Sequence, residues 1–211
     1  ITVESLCVRP LSIHELAPIS TLFFIITFPK WYSLIFFLFR FIKPNPSAPL
    51  WFGEKEVFFD DLAIEHLHQI GPSCVPTTLS MIANAFGQKI SIQDMKAMIN
   101  TQAPETWSKA LESCGLKLAY CNIDQRPLEY YIEELKELND LFFLSFYSHP
   151  LPAEPDDNGK LCTAHIVTMY QDSIIDTAMK QGVFEADKYP RSHLRTKRIF
   201  RVVPIDHERG L

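Results

Sequence analysis

From residue 75 onward, apolar and polar positions repeat first at helical and then at strand spacing. In VPTTLSMIANAF (75–86), Leu79, Ile82 and Phe86 share one helical face and Gly87 follows as a stop. Ser91, with Asp94 three residues later, predicts a capped helix running through Ile99. ETWSKALESC (105–114) predicts a third helix, closed by Gly115. The period then shortens, and LKLAYCNI (116–123) alternates as a strand does. PLEYYIEELKELN (127–139) returns to the helical period with Pro127 at its start; its EELKEL stretch reads as a solvated face. LFFLSFY (141–147), AHIVTMY (164–170), SIIDT (173–177) and RIFRVVPI (198–205) read as strands. The middle two form a hairpin about Gln171-Asp172, and the polar, proline-rich HPLPAEPDDNGK (149–160) is a loop. Helices first and strands second predict an α+β domain with N-terminal helices packed on an antiparallel sheet.

Upstream the pattern is different. Residues 1–43 carry four basic and two acidic side chains, and seven of the 16 phenylalanines fall between Phe23 and Phe41, where no carboxylate occurs. Residues 19–42 have the ~20-residue length that spans a bilayer. Pro29 and Lys30 near the centre oppose a straight span, because proline kinks a helix and a mid-bilayer charge costs ~2.5–3.5 kcal/mol. The flanks do not fit a secretory signal peptide. Two readings stand: contact with a membrane through residues 19–42, or an apolar hairpin packed on the domain. Residues 44–50, with three prolines in KPNPSAPL (43–50), predict an extended linker. The expected organisation is an apolar appendage over 1–43, a linker over 44–50 and one domain over 51–211. Localisation, membrane-associated or cytoplasmic, stays open.

Composition narrows the function. The chain has 211 residues and a net charge of −5, which argues against a protein built to grip nucleic acid. Five cysteines, no CxxC and no zinc-ligand spacing remove the common metal readings and a disulfide scaffold. No cofactor is implied. What remains is the question of a lone reactive thiol.

HQIGPSCVPTTLSMIANAFG (68–87) places Cys74 between a Gly-Pro turn and a helix start. A helix N-terminus favours a thiolate through its dipole and its free amide donors. Gln69, five residues earlier, brings a side-chain amide to the same point. With the Cys74 amide it would hold an oxyanion, worth ~3–4 kcal/mol per donor. A thiol nucleophile needs a base, and the base an orienter. Counting inward from the Gln171-Asp172 turn pairs Tyr170 with Ser173. The ladder then sets Asp176 opposite Val167, which makes it the diagonal neighbour of His165 on the same face. Each residue also has an ordinary reading. Cys74 would be a buried small hydrophobe, His165 a strand histidine and Asp176 a strand-end residue with Asp172 as rival. His68 competes with Gln69, and Cys162 with Cys74, though no helix start activates Cys162.

The order Gln, Cys at a helix start, then His and Asp on later strands resembles that of papain-like cysteine peptidases. QIGPSCVPTTLSMIANAFG, ETWSKALESCGLKLAYC and AHIVTMYQDSIIDT are most similar to the bacteriocin-processing, double-glycine-leader peptidases and their stand-alone bacterial relatives. The likeness runs from Gln69 to Asp176. It implies a papain-like fold, a peptide or protein substrate, Cys74 as nucleophile, His165 as base, Asp176 as orienter and Gln69 as oxyanion donor. The family commonly follows its cysteine with Gly or Ala; here Val75 and Pro76 follow. The activity expected is cleavage of peptide or isopeptide bonds. Its rivals are glutamine deamidation or acyl transfer at the same site, and a peptide-binding domain without catalysis.

Overall fold

The run LFFLSFY becomes β2 (Leu141–Tyr147), a central strand whose two faces feed two different apolar clusters. Phe142, Leu144 and Phe146 enter one cluster, Leu141 and Phe143 the other, which is why the run shows no polar alternation. The computed structural model describes residues 49–51, 56–124, 126–148 and 164–211. The expected appendage over 1–43, most of the linker over 44–50, the loop over 149–160 and Cys162 lie outside the described residues.

Three helices precede the sheet: α1 (Cys74–Ala85), α2 (Ile92–Met98) and α3 (Pro104–Leu111). Ser91 caps α2 by accepting from the Asp94 amide. The third helix tightens into a 3-10 turn over Glu112–Cys114 and stops at Gly115, whose φ of 73° only glycine adopts freely. The helix expected over 127–139 divides into a 3-10 turn (Leu128–Tyr130) and α4 (Ile132–Leu138). Tyr131 sits at the break, its hydroxyl donating to Asp124 Oδ1 and accepting from the Asp124 amide.

The strands β1 (Leu116–Tyr120), β2, β3 (Ala164–Tyr170), β4 (Ser173–Ile175), β5 (Val183–Glu185) and β6 (Thr196–Pro204) form one antiparallel sheet in the order β1-β6-β2-β3-β4-β5. The mixed helix and antiparallel-sheet class is therefore α+β. Leu79, Ile82, Met95 and Trp107 from α1–α3 meet Phe143, Ile166 and Phe200 in one cluster. Ile132 and Leu135 from α4 join Leu144, Val167 and Ile199 of the sheet in the other.

Leu50 and Trp51 are buried in that second cluster, so the folded domain begins at least at Leu50, within the stretch expected as linker. The chain then runs across the sheet, pinned by buried Arg201. Its guanidinium bonds Asp140 at 2.6 and 3.0 Å, donates to the Glu56 carbonyl and lies over the Trp51 and Phe58 rings. Asp140 in turn accepts from the Phe58 and Phe59 amides. This route delivers residues 62–70 to the β3–β4 end of the sheet, where Leu62 N donates to the Tyr170 hydroxyl. Among the described residues no helix is long and apolar enough to cross a membrane.

Candidate active site

Cys74 is the first residue of α1, half-buried and facing the cleft. The turn before it depends on Gly71, at φ 62°, whose carbonyl accepts from Ser73 N at 2.9 Å. Ser73 donates its hydroxyl to the Ile70 carbonyl instead of capping the helix. Among the described residues nothing accepts from the Cys74 amide, one of the first-turn donors for which a helix has no acceptor of its own. Pro76 sits in that turn, where a missing donor costs nothing.

His165, near the start of β3, is 8% exposed. Its Nε2 lies 2.7 Å from Asp176 Oδ1, and Phe146 meets the ring edge-on at 5.5 Å. The carboxylate accepts, so Nε2 carries the proton and Nδ1 is left for the thiol. Burial opposes charging of the imidazole. The hydrogen bonds to Asp176 and to Cys74, with the charge of both, outweigh it and raise the pKa to about 9. The three side chains singled out from sequence thus converge: thiol, imidazole, carboxylate.

Asp176 follows β4 and is fully buried. Burial alone would raise its pKa; the bond to His165, with further donors, carries it below the ordinary carboxylate value. Oδ1 also accepts from Ala178 N at 2.9 Å, and Oδ2 from the Tyr189 hydroxyl at 2.8 Å and Arg191 Nη1 at 3.3 Å. Its backbone N–H bonds Gly182 O at 2.7 Å, while His66 Nε2 lies 3.2 Å from its carbonyl. A side chain at Gly182 would strike the His66 ring, so this crossing needs glycine. The rival Asp172 lies exposed at the other end of the hairpin and accepts from the Ser173 hydroxyl.

Gln69 lies beside this segment. Its backbone N–H bonds Thr177 O at 2.8 Å, and its Oε1 accepts from Thr177 Oγ1 at 2.9 Å. Nε2 donates to Gly71 O at 3.0 Å, which engages one of its two N–H groups. His68 is exposed, its ring 6.4 Å from that of His66.

Sequence reasoning did not find Thr177, Tyr189 or Arg191. Tyr189-Pro190-Arg191 lies in a segment without hydrophobic period, and only the fold brings it to Asp176. A cleft of about 340 Å³ opens over Gln69, Cys74 and His165, with Phe146, Arg191 and Leu194 in its walls. Among the described residues no three His, Cys, Asp or Glu side chains are grouped to hold a metal ion.

The arrangement is a thiol–imidazole–carboxylate triad at the junction of a helix start and an antiparallel sheet. No protein-family model and no curated protein matches the chain. Solved structures similar to it include two peptidase domains. One is the peptidase domain of Streptococcus ComA, a bi-functional ABC transporter involved in quorum sensing. It is 15% identical, with 67% of this chain and 99% of that one covered, at a TM-score of 0.46. The other is a double glycine motif protease from an AMS/PCAT transporter, in complex with the leader peptide. It is 13% identical, with 68% of this chain and 90% of that one covered, at a TM-score of 0.40.

Proposed function

We propose that the chain is a thiol-dependent hydrolase that cleaves peptide or isopeptide bonds, with Cys74 as nucleophile, His165 as acid–base, Asp176 as orienter and Gln69 as oxyanion donor. The observation that carries this reading is the position of His165. One ring nitrogen is held at 2.7 Å by a buried carboxylate, and the Cys74 thiol stands against the same ring. Asp176 fixes the tautomer and supports an imidazolium, the state that accompanies a thiolate.

In the reaction His165 takes the thiol proton as the Cys74 sulfur attacks the carbonyl carbon, and the carbonyl π electrons move onto oxygen. The second N–H of Gln69 Nε2 and the Cys74 amide are available to that oxyanion. The tetrahedral species collapses as His165 gives its proton to the departing amine, leaving a thioester on Cys74. Neutral His165 then takes a proton from water, the hydroxide attacks the thioester, and the carbon–sulfur bond breaks; a carboxylic acid leaves as His165 returns its proton to the sulfur and the thiol is restored. Deamidation of a glutamine side chain would run through the same steps with ammonia as the leaving group.

The test is mass spectrometry of peptide mixtures incubated with the full chain and with Cys74→Ala. Paired fragments that together gain one water, absent with the variant, support peptide-bond hydrolysis. Intact peptides in which an amide has become an acid identify the deamidase instead. Peptides retained unchanged by both proteins identify a binding domain.

A further inference from the structure

The walls of the cleft around Cys74 and His165 are more apolar than polar, with Pro72, Phe146, Ala164 and Leu194 beside Gln69 and Ser148. Arg191 is the one Lys or Arg in its described lining. Its side chain is 36% exposed, although the carboxylate it touches is fully buried. That contact is a single one, Nη1 to Asp176 Oδ2 at 3.3 Å, longer than the ~2.7–2.9 Å of a charge-assisted bond. Asp176 does not depend on it. Oδ2 already accepts from Tyr189 at 2.8 Å, and Oδ1 from His165 and Ala178. The guanidinium also stands beside the Tyr189 hydroxyl. A guanidinium has five N–H donors in a planar fork suited to a carboxylate, and among the described residues the polar partners of this one are Asp176 and Tyr189. Apolar walls strengthen its attraction for an anion relative to water. Among the described lining residues there is no acidic side chain to occupy it.

We propose that Arg191 is a specificity-determining residue that holds a substrate carboxylate beside the bond presented to Cys74. The assignment rests on Cys74 being the nucleophile. The carboxylate has two chemical sources: an acidic side chain next to the cleaved bond, or the terminal carboxylate of a short peptide.

Three thiol-directed probes separate these cases in the full chain: N-bromoacetyl-alanine amide, N-bromoacetyl-alanine and N-bromoacetyl-glutamate amide. In each, the Cys74 sulfur forms a bond to the methylene carbon as the carbon–bromine bond breaks and bromide leaves. Labelling at Cys74 is followed by peptide mapping in the unmodified protein, Arg191→Gln and Arg191→Lys. The neutral amide measures the thiol; the ratio of acidic to neutral probe measures the cation. The unmodified protein is expected to show a ratio about tenfold above that of Arg191→Gln. The ratio falls with added salt, and Arg191→Lys keeps part of it. A lead for the glutamate probe assigns an acidic side chain, and a lead for the alanine probe a terminal carboxylate. Equal ratios in the unmodified protein and Arg191→Gln, with Cys74 labelled normally by the neutral probe, overturn the role of Arg191 and leave the hydrolase reading intact. A salt-independent ratio in the unmodified protein overturns it without reference to any variant. If the neutral probe labels Cys114 or Cys121 ahead of Cys74, the nucleophile assignment falls and Arg191's role with it.

Discussion

Gln69 and Thr177 are joined twice, by Gln69 N to Thr177 O at 2.8 Å and by Thr177 Oγ1 to Gln69 Oε1 at 2.9 Å. Thr177 directly follows Asp176, so one short stretch of chain sets both the triad acid and the proposed oxyanion donor. The hydroxyl occupies the oxygen end of the Gln69 amide and so directs its nitrogen end away from Thr177.

Thr177→Val keeps the shape and the backbone bond and removes only the hydroxyl. The lost hydrogen bond corresponds to about 1 kcal/mol, or roughly fivefold in rate. The loss is expected in kcat rather than KM, with the melting temperature nearly unchanged, and Thr177→Ser should restore the rate. A loss confined to KM would place Gln69 in substrate binding instead.

Tyr189→Phe removes the better donor to Asp176 Oδ2 and leaves Arg191 at 3.3 Å. An ionised, buried carboxylate deprived of a donor should cost about 1–3 kcal/mol in a denaturant titration. The ring remains packed against Phe146, which itself touches His165, so the change reports the hydroxyl. A fully stable Tyr189→Phe protein would show that Asp176 is satisfied without it.

The hairpin was the most legible part of the site. Pairing outward from Gln171-Asp172 requires Tyr170 opposite Ser173, and the ladder continues through Met169–Ile174 and Thr168–Ile175. Asp176 comes next, in line to meet His165 diagonally, because strand side chains alternate strictly. The start of α1 at Cys74 was legible from apolar spacing and Gly71-Pro72. What stayed hidden has no local period. β5 is three residues long at the outer edge of the sheet, with Val183 and Glu185 exposed. Leu50 lies in a proline-rich run, and its burial depends on the distant residues of α4 and β6. Tyr189 and Arg191 reach Asp176 only once the chain beyond β5 has folded back.

Stability should carry the signature of His165. Its folded pKa of about 9 lies above the ordinary 6.5, so its contribution is complete below pH 6.5 and is lost as pH rises through 9. At full strength that shift corresponds to roughly 3 kcal/mol. Asp176 works on the other side: its lowered pKa contributes stability above the ordinary carboxylate value, lost as pH falls below it. Thermal melts should therefore fall off between about pH 6.5 and 9, and His165→Gln should flatten that limb. A melting temperature that rises across the same interval contradicts the pairing.

The boundary near Pro49 is open to direct test. A chain starting at Pro49 retains Leu50 and Trp51 in the core and the bond from Asn122 N to Leu50 O. It is expected to melt cooperatively. Starting instead at Glu56 removes both buried side chains and should cost about 3–6 kcal/mol. An aggregated Pro49 chain would show that the upstream residues are needed for folding. Pelleting of the full chain but not the shorter one with lipid vesicles assigns residues 19–42 to a membrane; both staying in solution favours an apolar hairpin packed on the domain.

Whether Cys74 and His165 act as one nucleophilic unit can be read from iodoacetamide alkylation of each cysteine at mildly acidic pH, followed by peptide mapping. The full chain is compared with His165→Ala. Cys74 is expected to label first among the five cysteines, and His165→Ala to slow Cys74 by at least an order of magnitude while the other thiols keep their rates. Labelling of Cys74 no faster than Cys114 or Cys162, or at an unchanged rate in His165→Ala, would contradict it.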